Sequence, residues 1–171
     1  MRLRVLRGEK STIIHQPSNI RKMKRGIRNN NPLNIRHSAS QWQGAREEQT
    51  DPSFVQFESM AYGYRAAWKT LESYWHYFYR SKQPYTATTI IGRWAPPTEN
   101  DTRNYIRTVL TLTSLGGKEN LPQPSRGVDT ERLERLIRAM TKNSFLITVI
   151  FFFGINDVKL WKKHYHIKFG W

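Results

Sequence analysis

The chain has 171 residues, 28 Lys and Arg against 13 Asp and Glu, and no cysteine. That length allows one domain with extensions, and an apolar content of 38% is enough for a core. The missing cysteine excludes a disulfide framework and thiol catalysis, and leaves zinc only His, Asp and Glu as ligands.

The formal charge of +15 belongs mainly to the ends. Residues 1–28 carry nine Lys and Arg against Glu9, a net of +8. Residues 142–171 carry five Lys against Asp157, a net of +4. Between them, 29–141 nets only +3. Basic ends favour any polyanion, whether phosphate backbone, anionic lipid or wall polymer. The near-neutral middle argues against nucleic acid as the ligand.

Residues 1–22 read as a basic, disordered arm or an upstream extension of the start, without the apolar run of a signal peptide. "MKRGIRNNNP", from Met23, reads as a natural beginning. Over 29–57, "NNNPLNIR" suits turns and positive φ, while "SQWQG" and "SFVQF" predict short strands in a small antiparallel sheet. From Met60 to Tyr79, the residues Tyr64, Ala67, Trp68, Leu71, Tyr74, Trp75 and Phe78 recur at helical spacing and predict one buried face.

"TATTIIGRW" predicts a short helix burying Ile90, Ile91 and Trp94 and ending at Pro96-Pro97. Thr98, with Asp101 three residues on, predicts the cap of a helix that runs to about Thr113 and is stopped by Gly116-Gly117. A last helix, capped at Asp129 or Thr130, would bury Leu133, Leu136, Ile137 and Met140. After an abrupt change at Asn143, "FLITVIFFFGI" is too short to cross a bilayer, which takes about 20 apolar residues. The tail 142–171 reads as a hairpin, a membrane-interfacial segment or a non-native end from a shifted frame.

Candidate chemistry comes down to carboxylates among aromatic and amide side chains. No phosphate-binding glycine loop occurs, and His15, His37, His76, His164 and His166 lack metal-site spacing. No cofactor is implied. Glycosidic cleavage needs a carboxylic acid that stays protonated near neutral pH, and burial against aromatic rings supplies that. Glu99 follows Trp94 and the stiff Pro96-Pro97 pair, which makes it the leading candidate acid, with Glu58 second. The bland reading of Glu99 is a helix-start acid favoured by the dipole. Asp51 reads as a turn residue, Glu47 and Glu48 as solvated, and Glu72 as solvent-facing. Asn31, Asn34, Trp42, Trp94, Asn100, Asp101 and Tyr105 are the candidate sugar-binding residues, as amides and rings that could line a groove.

In order, "RGIRNNNPLNIRHSASQWQG", "DPSFVQFESMAYGYRAAWKTLESY" and "IIGRWAPPTENDTRNYIRTV" resemble segments of a phage and prophage family of virion structural proteins with a lysozyme-like domain. The resemblance covers about residues 24–115, with Leu33 where the family has glycine and Tyr64 where it has isoleucine. More distantly, "NNPLNIR", Trp42, Gly44 and the "FVQFES" segment resemble the core of bacterial glucosaminidases. Those enzymes carry a catalytic glutamate on a preceding helix, where this chain offers only Glu9.

The resemblance implies an α+β, mainly helical, lysozyme-like domain over 23–141, with a small antiparallel sheet, about four helices and irregular basic termini. It implies a protein of the virion or bacterial cell envelope that cleaves peptidoglycan glycan strands as a muramidase or lytic transglycosylase. The alternative is a non-catalytic virion structural or wall-binding protein. Other virion proteins are candidate partners, and the tail could touch a membrane surface.

Overall fold

The structure is a computed structural model that describes residues 24–126 and 129–145. The expected arm 1–22, with Glu9 and His15, lies outside the described residues, as does the tail beyond Phe145 with His164 and His166.

Five α-helices form among the described residues. These are α1 (Arg25–Arg28), α2 (Met60–Arg80), α3 (Ala87–Trp94), α4 (Thr102–Thr113) and α5 (Glu131–Phe145), with a single 3-10 turn at Pro124–Arg126. The periodicity of 60–79 becomes α2, whose buried face holds Ala67, Trp68, Leu71 and Phe78, while Tyr64, Tyr74 and Trp75 are half-buried against the core. A reciprocal Thr86–Thr89 capping box starts α3, which buries Ile90 and Ile91 and ends at Trp94, before the proline pair.

The start of α4 differs from expectation. Its cap is Asp101, whose carboxylate accepts from the Asn104 amide, and Thr98 lies in the preceding turn. Pro96 and Pro97 hold that turn open and delay the helix until Thr102. The left-handed Ser114 ends α4, two residues before the glycines. On α5, Leu133, Leu136, Ile137 and Met140 are all buried, and the helix continues past the composition break to Phe145. α4 packs on both α3 and α5, and the 3-10 turn packs on α2.

The expected α+β class is overturned. Among the described residues there is no strand, and the fold is helical. "SFVQF" makes only isolated antiparallel bridges, Arg36 with Phe54 and Ala45 with Phe57. The reason lies in the amides. Asn31 Nδ2 donates to the Ile35 and Val55 carbonyls, Gln49 Nε2 donates to Arg46 and Gln56, and Asn30 Nδ2 donates to Phe57. Side chains thus take the backbone groups that a ladder would use, so pairing never extends beyond single bridges.

The same loops explain Leu33. Positive φ falls on Asn30 and Asn34 instead, and Leu33 is free to bury its side chain at 2% exposure.

Candidate functional site

The region of the nominated residues is built by the turn between α3 and α4 and by the loops before α2. Glu99 occupies that turn, its amide donating to the Pro96 carbonyl at 3.1 Å. Its side chain is 58% exposed and accepts a hydrogen bond from Arg36 at 2.9 Å. The shield of nonpolar rings that the general-acid reading requires is therefore absent around this carboxylate. Glu58 is also exposed. Its amide donates to Gly44 and its carbonyl accepts from Asn30, so its backbone rather than its carboxylate joins the loops.

The amides divide. Asn31 is wholly buried, with Oδ1 accepting from the Ile35 amide and Nδ2 donating twice, so it works as a loop staple. Asn34 is half-buried at φ 54°, and its buried Oδ1 has no partner among the described residues. Trp42 is half-buried against the core, and its buried Nε1 likewise lacks one. Asn100 is exposed and donates to the Pro96 carbonyl.

Asp101 is committed to capping α4. Tyr105 is half-buried and its hydroxyl donates to the Met140 carbonyl at 3.3 Å, which ties α4 to α5. Trp94 packs its ring 6.1 Å from that of Tyr74. The structure thus joins Glu99 to Arg36 and Trp94 to Tyr74. None of the nominated residues lines the open groove bounded by Ser73, His76, Tyr77, Arg80 and Ser81.

The carboxylate with the strongest environment is one that the sequence reading set aside. Asp51 is 6% exposed and accepts from Arg25 at 2.7 and 2.6 Å, from Asn29 at 2.7 Å, and from the Ser53 and Phe54 amides. The Arg25 guanidinium, followed by the Asn29 amide and the two backbone donors, holds its carboxyl well below the usual carboxylate range against the opposing effect of burial. Arg25 also lies 4.5 Å over the Phe54 ring. A carboxylate so fully bonded is an anchor and has no lone pair to spare for proton transfer. The Asp-Pro-Ser pattern did signal a turn, but the link to Arg25, 26 residues earlier, has no local signature.

Among the described residues, no three His, Asp or Glu side chains come together as they would around a metal ion, and no helix is long and apolar enough to cross a membrane.

No family model matches the chain. The chain is similar to Protein P5 of Pseudoalteromonas phage PM2, at 39% identity over 109 residues. The matched stretch is 61% of this chain and 65% of the phage protein, so the chain spans somewhat less than two thirds of that relative. The resemblance to phage proteins thus holds at the level of a bacteriophage homologue, while the lysozyme-like part of the expectation has no counterpart in this comparison.

Proposed function

We propose that the chain is a bacteriophage virion-associated protein with a structural, non-catalytic role, with other virion proteins as its partners. The observation that carries this reading is the 39% identity over 109 residues to a phage protein. The disposition of the acids supports it. Asp51, Glu99 and Glu119 are each paired with arginine, and Glu72 with Lys69, so each of these carboxylates has a cation partner within the chain. The test is to induce the phage that encodes the chain, band the particles on a density gradient and wash them in high salt. The protein is expected to remain with the particles, and its recovery wholly in the soluble fraction would overturn the proposal.

A second reading, wall-glycan binding without cleavage, rests on the half-buried Trp42 ring, which offers a flat apolar surface of the kind sugar faces stack on. Its test is co-pelleting with purified sacculi, expected to weaken on Trp42→Phe. The narrower enzymatic reading rests on the sequence resemblance, and its choice of Glu99 as acid on that residue's place after Trp94 and the proline pair. A zymogram on the same sacculi is expected to show no clearing by the wild type. Clearing that disappears in Glu99→Gln would reinstate the enzyme.

A further inference from the structure

The outer face of α4 is charged against the helix's own electrostatics. The charged side chains of this helix are Arg103 and Arg107, and it carries no acid. Both are exposed and stand four residues apart, one turn from each other, away from the buried Thr102, Val109 and Thr113. Arg103 lies in the first turn, where the dipole disfavours a cation, and like charges at this spacing repel. Neither arginine forms an ion pair among the described residues. Other arginines without a close carboxylate have a place inside the chain. Arg46 and Arg135 donate to the Phe57 and Thr113 carbonyls, while Arg80 and Arg93 occupy last turns, where the dipole favours them.

Most acids are already engaged. Asp51, Glu72, Glu99, Glu119 and Asp129 each hold a cation, Asp101 caps α4, and Glu131 and Glu134 stand in the first turn of α5. Glu47 and Glu48 differ, as adjacent exposed acids in no ion pair among the described residues. Hydrogen bonds on either side hold this dipeptide in place. Gln49 Nε2 donates to the Arg46 and Gln56 carbonyls at 2.8 and 2.9 Å, and Gln49 Oε1 accepts from the Gln56 amide at 2.7 Å. The Arg46 amide also donates to the Gln56 carbonyl at 2.9 Å. The acidic tip is therefore fixed before a partner arrives, which lowers the cost of docking.

We propose that copies of the chain associate head to tail, the Glu47-Glu48 loop of one seated on the Arg103 and Arg107 face of the next. The arginine face alone would accept any anion, but the same chain presents its complement as a rigid, unpaired acid pair. The two patches differ, so the contact is heterologous and each copy keeps a patch free for a further one. The inference names one partner within the structural role proposed above. Association is read in solution without particles, so its failure leaves the particle test of that role standing.

The test is sedimentation velocity of the full chain at rising protein concentration. Association is expected at about 50 mM salt and should weaken as salt is raised to about 0.5 M. Arg103→Glu with Arg107→Glu, and separately Glu47→Arg with Glu48→Arg, should each raise the apparent Kd about tenfold or more. Mixing these two variants brings opposite charges together again and is expected to restore association. All four substitutions in one chain keep the wild-type net charge and should self-associate like the wild type.

Matching melting curves confirm that each variant is folded. The proposal is overturned if the wild type stays monomeric, or if neither the mixture nor the fourfold variant recovers association. It is also overturned if only the loop variant loses association, which would place the chain's own basic residues 1–22 on the acids. Arginine variants that associate like the wild type but lose oligonucleotide or phosphatidylglycerol-vesicle binding would overturn it in favour of those anions.

Discussion

Residues 24–58 and residues 60–145 solve the same problem with different materials. In the first region, loops and one short helix are stitched by asparagine, glutamine and aspartate side chains onto backbone groups, with Asp51, Asn29, Asn31 and Gln56 all buried. In the second, four helices close over Leu71, Ile90, Ile91, Val109, Leu133, Leu136 and Met140, and the buried polar side chains are threonines, Thr86, Thr102, Thr113 and Thr141, with no buried amide or carboxylate among the described residues. Asp51 is thus the carboxylate fastener of the first region, whereas the exposed Glu58 joins the loops through its backbone. Catalytic readings of acids in this chain have to be weighed against that use.

The two regions should fail differently. The largest effect is expected in the helical half, where Leu136→Ala leaves a cavity in the core and should cost about 3 kcal/mol in urea unfolding. At the junction, a Cβ on Gly63 of α2 would lie 2.0 Å from the Asn30 carbonyl oxygen. Gly63→Ala should therefore force the regions apart and cost about 2–3 kcal/mol, read by the same unfolding. If it costs less than Asp101→Ala, the regions are not rigidly joined.

In the polar half, Asp51→Asn should cost about 2 kcal/mol at neutral pH, because charged hydrogen bonds are lost. Its pH dependence has a definite sign. The folded carboxyl titrates below its unfolded value of about 3.9, so its contribution is complete above that pH and disappears as pH falls through the folded value. The stability gap between wild type and Asp51→Asn should hold from pH 7 to 5 and narrow from pH 4 to 2.5. A gap that widens on acidification contradicts the anchor role.

Smaller again, Asp101→Ala should lower stability by about 1 kcal/mol through loss of the α4 cap. Smallest is Glu99→Gln, an exposed pair with Arg36, expected to shift stability by less than about 0.5 kcal/mol. A large loss there would place Glu99 among the fasteners of the first region.

Legibility in the sequence followed the same division. The helices were readable because burial of one face imposes a 3.6-residue period, as in Leu133, Leu136, Ile137 and Met140. The loops misled because a short apolar and aromatic run such as Phe54, Val55 and Phe57 looks alike whether its backbone pairs with a strand or with amide side chains. Glu99 shows the limit for the candidate site. Its neighbours in sequence, Trp94 and Pro96, are rigid and apolar, but its neighbour in space is Arg36, 63 residues away.

The sequence alone determined the course of α2, α3 and α5 and the faces they bury, since both depend on residues three or four apart; it missed α1 and placed the start of α4 too early. It also placed the chain among phage-like proteins through motifs held in order. Tertiary structure alone decided that Asp51 is a bonded anchor, that Glu99 stands in solvent with a cation, and that no sheet forms among the described residues. Each of those outcomes is set by a partner that the chain brings near only on folding, and local spacing carries no record of it.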